Sequence, residues 1–160
     1  MKSLYENFFK KNNSSDPILH VMEKVPIFGN FTMKELKEVA RLTHERSYKV
    51  GEPIFKKLSP GEGMYVILNG TVEIKDPDSN TVFAKLESGD FFGELALLDE
   101  EPRSAMAIAT ESAKLIGFFR TDLLTLMNRD PELGNKILMN LSRVLGERLR
   151  RTNLELTQAN

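Results

Sequence analysis

The chain reads as an α+β protein that is mainly β: an antiparallel barrel or jelly roll set between short N-terminal helices and a long C-terminal one. Three observations carry this. Apolar residues recur with helical spacing up to about residue 43 and again after about 120, but with a period of two between Arg46 and Phe119. Turn residues punctuate that middle stretch at short intervals, at Gly51, Pro60-Gly61, Gly70, the run Asp76 to Asn80, and Ser88-Gly89-Asp90. No long helix interrupts it, which favours an antiparallel closed or double-sheet arrangement.

Residues 1–15 end in Lys-Lys-Asn-Asn-Ser-Ser and read as a loosely held arm or short helix, and residues 16–160 as one domain. Asp16 and Pro17 supply a cap and a first helical position for a helix over Pro17–Val25, with Ile18, Val21 and Met22 on one face. Pro26 stops it, and Ile27 and Phe28 follow as apolar plugs before a Gly29-Asn30 turn. Thr32 and Glu35 form a capping-box pattern that opens a second helix to about Leu42, with Met33, Leu36, Val39 and Ala40 as its buried stripe. Together these helices occupy residues 17–43. The strand region, 44–119, divides into Glu45–Val50, Pro53–Lys57, Met64–Asn69, Thr71–Lys75, Thr81–Leu86, Ser104–Thr110 and Lys114–Phe119. C-terminal helices fill 121–156. Thr121 or Asp122 caps a short one through Met127, and Asp130-Pro131 opens a long one reaching to Leu156. Leu138, Leu141, Leu145, Leu149, Thr152 and Leu156 run along it at three- and four-residue steps, a coiled-coil-like seam. Ile137, Leu141 and Val144 widen the stripe toward a second surface.

Composition narrows the function. Of 160 residues, 41% are hydrophobic and 28% charged, with a net charge of −1, so no bulk charge draws the chain to nucleic acid or membrane. There is no cysteine, which removes disulfides, thiolate metal sites and a cysteine nucleophile. No signal peptide is visible and no apolar run approaches the ~18 residues of a membrane span, so a cytoplasmic location is expected. A jelly-roll metalloenzyme of the cupin type needs several converging histidines, and only His20 and His44 exist. Both read as surface or hydrogen-bonded structural groups. No Ser-His-Asp set, P-loop or paired-carboxylate pattern is present, and Asp99, Glu100 and Glu101 read as a solvated acidic loop. The expectation is a protein that is not an enzyme and holds no metal.

The stretch from Phe92 to Ala105 carries the chemistry. A glycine turn at Gly93 precedes Glu94 and a one-turn apolar helix, Leu95 to Leu98, then the acidic loop and Pro102-Arg103-Ser104. So short a helix leaves its N–H groups unpaired and open to an anion. Arg103 offers a planar fork that suits phosphate. Glu94 would repel phosphate but accepts hydrogen bonds from hydroxyls. An anion site beside a hydroxyl acceptor suggests a ribose phosphate ligand.

This stretch, FGELALL followed by PRSA, resembles the phosphate-binding cassette of cyclic nucleotide-binding domains, the family of bacterial catabolite activators, kinase regulatory subunits and gated channels. The order of helices, β-roll (a double-stranded β-helix or jelly roll) and helices matches over about residues 20–155. The resemblance implies that Glu94 binds the ribose 2′-hydroxyl, that Arg103 binds the cyclic phosphate, and that Gly93, Leu95, Ala96, Ser104 and Ala105 complete the cassette, with backbone N–H groups from Ala96 and Ser104. Apolar strand residues such as Val72 and Phe83 would pack on the base. Cyclic AMP is the expected ligand, with cyclic GMP left open because Ser104 places a hydroxyl where guanine recognition uses one.

Within the last helix, Asn140-Leu141-Ser142 and Arg148-Leu149 resemble the dimerisation helix of the catabolite activator type. That places Thr152 and Asn153 near the base, with Arg148 or Arg151 able to stack over it. The seven residues after Asn153 hold no helix-turn-helix, so direct DNA binding is not expected. The resemblance therefore implies a stand-alone cyclic nucleotide sensor, paired as a homodimer through its last helix and acting on an unidentified downstream protein. The alternative is a ligand-free interaction module that works through that helix.

Overall fold

The structure, a computed structural model, describes residues 16–159; the N-terminal arm lies outside them. Helix α1 spans Pro17–Met22, capped by Asp16, whose carboxylate accepts the Ile18 N–H at 3.0 Å. It stops three residues short of Val25. Proline at position 26 disfavours helical geometry in the residue before it, and Val25 is extended (φ −80°, ψ 122°). A 3₁₀ turn, Pro26–Phe28, then leads to α2, Met33–Ala40, which has both bonds of the expected capping box between Thr32 and Glu35. Leu36 and Val39 are buried, whereas Met33, at the first helical position, is half exposed.

Eight strands follow: β1 His44–Tyr48, β2 Pro53–Phe55, β3 Gly63–Asn69, β4 Val72–Asp76, β5 Thr81–Leu86, β6 Phe91–Phe92, β7 Met106–Ala109 and β8 Ala113–Phe119. They form two four-stranded sheets, ordered β1-β8-β3-β6 and β2-β7-β4-β5, with every pairing antiparallel. The two-residue β6 is too short to show alternation in the sequence. It pairs Phe92 with Tyr65 and Phe91 with Val66.

Strand β3 reads as one unbroken apolar run because both of its faces are covered. Tyr65 and Ile67, with Leu115 of β8, point into the roll beside Val72, Ala107 and Ala109. Met64 and Val66, with Ile116 and Phe118, point outward under the helices. Alternation by two thus sorts one strand into two cores.

The outer core is closed by α3, Arg120–Arg129, and α4, Pro131–Gln158. Helix α3 begins before either expected cap, at Arg120, and Asp122 sits inside its first turn, where its carboxylate accepts the Phe119 N–H at 3.0 Å. His44 meets that carboxylate at 3.1 Å and stacks on Phe119, a hydrogen-bonded structural histidine. Asp130 caps α4 as its sequence indicates. Leu133, Ile137, Leu141 and Val144 are the stripe that α4 buries against the roll and the 26–28 turn. Asn140 is buried among them, its amide donating to the carbonyls of Ile27 and Gly29. Leu141 is therefore spent within its own chain. Leu138 and Leu145 are half covered, while Leu149, Leu154 and Leu156 are exposed.

Candidate functional site

Beyond β6 the chain turns sharply at Gly93, whose φ of 77° lies in the left-handed region. A side chain there would be strained and would also sit 2.8 Å from the Arg103 guanidinium. The 3₁₀ helix Glu94–Leu97 follows, buried through Glu94, Ala96 and Leu97 with Leu95 facing out. Its geometry already uses one expected donor, since the Ala96 N–H bonds the Gly93 carbonyl at 3.2 Å.

This segment walls a cavity of about 590 Å³. Gly93, Glu94, Leu95, Ala96, Arg103, Ser104 and Ala105 all line it, as do Asp99 and Glu101 of the acidic loop. The opposite wall is apolar, built from Phe55, Ile74, Ala84 and Leu86 together with Phe91 and Phe92, and Arg148 of α4 reaches over the mouth.

Arg103 is buried, 8% exposed, with neutral company. Its Nη2 donates to the Gly63 carbonyl at 2.6 Å and its Nη1 to the Gly93 carbonyl at 3.2 Å. The guanidinium lies 4.1 Å above the Phe55 ring, a cation–π contact. Its Nε is buried without a hydrogen-bond partner. Among the described residues it forms no ion pair with a carboxylate. Burial pushes its pKa below the ordinary arginine value, opposed by the charges of Tyr65, Glu62 and Glu94. A cation held this way has donors to spare and strongly favours an anion beside it.

Glu94 is buried too, at 5% exposure, and its carboxylate accepts a hydrogen bond from Arg148 Nη1. The Arg148 guanidinium lies 4.8 Å over the Phe91 ring, so one side chain of the last helix touches both Glu94 and the aromatic edge of the cavity. Of the two arginines expected to reach this region, it is Arg148 that does so.

Four expected residues lie elsewhere. Val72 is fully buried inside the roll, on the same face of β4 as Ile74 but one pleat deeper, so Ile74 reaches the cavity instead. Phe83 is 62% exposed. The β4–β5 ladder slips between the pairs Ile74–Ala84 and Lys75–Val82, which leaves Phe83 outside the pairing and turns Ala84 inward. Thr152 and Asn153 are exposed on α4 past Arg148 and do not line the cavity. Phe55, Ile74, Ala84 and Leu86 line the cavity without being marked out in the sequence. The alternation of β4 and β5 is the signal that pointed at this wall, but it does not reveal the depth of Val72 or the slip at Phe83. Among the described residues no group of three or more histidines and acids is placed to hold a metal ion.

Residues 45–130 match the family described as the cyclic nucleotide-binding domain. The chain is 34% identical over 138 residues to the cyclic AMP receptor protein of Thermus thermophilus, covering 84% of this chain and 62% of that one. The crystal structure of the catabolite activator protein of the same organism superposes with a TM-score of 0.73 over the same shares at 34% identity. A cyclic nucleotide-binding domain from Methylobacillus flagellatus superposes with a TM-score of 0.75 at 27% identity, over 91% of this chain and 83% of that one. A cAMP-dependent protein kinase regulatory subunit of Aspergillus fumigatus is 32% identical over 94 residues, 59% of this chain but 23% of its own length. The chain thus spans under two thirds of the length of these curated relatives. The family match covers more than half of the chain, and the chain belongs to the cyclic nucleotide-binding domain family.

Proposed function

We propose that this chain is a non-enzymatic sensor of a cyclic purine mononucleotide, cyclic AMP before cyclic GMP, and that occupancy of its cavity alters the pose of α4. The observation that carries this reading is Arg103: a buried guanidinium with an unpartnered Nε, two carbonyl partners and, among the described residues, no carboxylate, on the wall of a cavity of nucleotide size. A cyclic phosphate supplies the one negative charge that group lacks, and the apolar wall of Ile74, Ala84 and Leu86 suits the flat faces of a purine. The Thermus relative is a cyclic AMP receptor protein and the Aspergillus one a cAMP-dependent kinase regulatory subunit, which favours cyclic AMP. Packing on such a wall discriminates purines weakly, so the preference is modest. Glu94 receives the ribose hydroxyl, and because Arg148 shares that carboxylate, the ligand and α4 meet at one group. In a pair of chains, Thr152 and Asn153 would approach the base.

A second reading, a ligand-free module acting through α4, draws support from the same Glu94–Arg148 bond, which satisfies the buried acid without any ligand. Calorimetric titration with cyclic AMP and cyclic GMP separates the two. Saturable binding of either nucleotide at micromolar concentration is expected. Heat of dilution alone for both would reject the sensor and leave the module.

A further inference from the structure

Behind the cassette, on the side away from the cavity, sits Arg120, the first residue of α3. Its Nη1 donates to the carbonyls of Asp99 at 2.9 Å, Ala96 at 3.3 Å and Gly61 at 3.4 Å. That nitrogen has two hydrogens for three acceptors, so the Asp99 bond is the firm one and the others share. Its Nη2 pairs with Glu100 at 2.6 Å, and its backbone N–H donates to the Glu62 carbonyl at 2.8 Å. The side chain is 18% exposed although its partner Glu100 is 80% exposed, so the carbonyl contacts are the sheltered ones.

The acceptors belong to two segments distant in sequence. Ala96, Asp99 and Glu100 lie at the exit of the cassette's 3₁₀ helix, which leaves carbonyls with no partner of their own. Gly61 and Glu62 belong to the turn before β3. The two segments touch: a Cβ added to Gly61 would lie 2.9 Å from that of Ala96 and 3.1 Å from the Glu101 carbonyl. Arg120 spans this contact from a residue whose helix packs tightly on α4, since a Cβ on Gly134 would come within 2.7 Å of Met127. The pair α3–α4 therefore grips the cassette's 3₁₀ helix at both ends, through Arg148 on Glu94 at its entry and through Arg120 on Asp99 just past its exit.

We propose that Arg120 is the positioning residue of the cassette, fixing the exit of its 3₁₀ helix to the helix pair so that a movement of one is carried to the other. The coupling half of this statement rests on the sensor reading above; the positioning half does not. Hydrogen exchange tests both. The amides of Ala96, Leu98 and Arg120 are hydrogen-bonded and report on the cassette and on the start of α3. Without nucleotide, Arg120→Gln should speed exchange at these three at least tenfold while Ile67 and Leu115, deep in the roll, stay within twofold. Unchanged exchange at Ala96 and Leu98 would overturn the proposal, as would equal acceleration throughout. Should that variant fail to fold, Arg120→Lys decides. Its three donors sit on one nitrogen and cannot serve the Glu100 carboxylate and the carbonyls from the two separated positions that Nη1 and Nη2 occupy, so at least threefold acceleration at Leu98 is expected and native rates refute the assignment. With cyclic AMP, the native protein should gain protection in both the cassette and residues 137–148. Arg120→Gln should gain it in the cassette alone, and protection of both in the variant would refute the coupling. A native protein that binds no cyclic nucleotide fails the sensor reading, and the nucleotide-free comparison still decides the positioning role.

Discussion

Arg148 and Glu94 stand 54 positions apart in the chain and share a hydrogen bond across the mouth of the cavity. Glu94 is 7% exposed in its side chain and Arg148 46%, so water screens half of the pair. A double-mutant cycle of Glu94→Gln and Arg148→Ala, followed by urea unfolding, should give a coupling of roughly 1 kcal/mol, well below the 3–5 kcal/mol of a fully buried pair. Strictly additive losses would mean that the contact contributes nothing in solution.

Arg103 should separate folding from binding. With no carboxylate among the described residues to orphan, Arg103→Met loses two hydrogen bonds to carbonyls but removes the desolvation of a buried cation, terms that largely offset. Stability should fall by no more than about 2 kcal/mol. Nucleotide binding should fall from micromolar, about −8 kcal/mol, to millimolar or beyond, as expected for an anion stripped of its cation. Near-native affinity in that variant would displace Arg103 from the phosphate role.

Acid should weaken the β4–β5 hairpin in a defined window. Lys57 first of all, then the Asp78 N–H and Ser79, hold the Asp76 carboxyl down at about 2 against an ordinary 3.8. A depressed folded value means that the contribution is whole above about 3.8 and is lost as pH falls toward about 2. A carboxyl-carbon NMR titration should place the Asp76 inflection near 2, and Asp76→Asn should flatten the stability profile over that interval. An inflection at the ordinary aspartate value would show that the Lys57 contact does not persist in solution.

Leu58 holds a φ of 69° with its side chain 73% exposed, while its N–H donates to the Arg103 carbonyl at 2.8 Å. Left-handed backbone costs a non-glycine residue about 1–2 kcal/mol, and glycine's extra freedom when unfolded costs about 0.5–1. Leu58→Gly should thus be neutral or more stable by up to about 1.5 kcal/mol in thermal melts. A clear loss of stability would mean that the leucine side chain makes a contact outweighing its strain.

Self-association is best probed at Leu149. Leu141 is fully buried in the monomer and Leu145 half covered, so changes there disturb folding as well as any pairing. Leu149 is 62% exposed on the seam. In an isologous pair each seam meets its own counterpart, so one substitution places two like charges together. Sedimentation should show a native dimer at tens of micromolar and a Leu149→Glu monomer with an unchanged melting temperature when dilute. A native monomer throughout would dismiss the pairing.

What was legible in the chain was what depends on near neighbours. The caps at Asp16, Thr32 and Asp130 act over two or three residues, and each forms the expected bond. Gly93, Glu94 and Arg103 lie within one short loop, and their arrangement around a left-handed turn follows from residue type. What stayed hidden depends on register or distance. A single slip in the β4–β5 ladder moved the cavity wall from Phe83 to Ala84. The partners of Arg120 lie 20 to 59 positions away, and nothing local marks that arginine from any other at a strand–helix junction. The broad stripe of α4 shows in the sequence, but only packing reveals that Leu141 faces the roll.

Helix α4 has 28 residues, about 42 Å of rod, yet its buried positions end at Val144 and its last tie to the roll is Arg148. Residues 149–158 extend roughly 15 Å further, every one of them exposed. They need no nucleus, because the helix behind them supplies one, but Thr152, Asn153 and Thr157 propagate it weakly. Coil and helix are nearly balanced over these last three turns. A few tenths of a kcal/mol per residue then set how far the rod extends, and temperature and solvent set its reach more than the roll that anchors it.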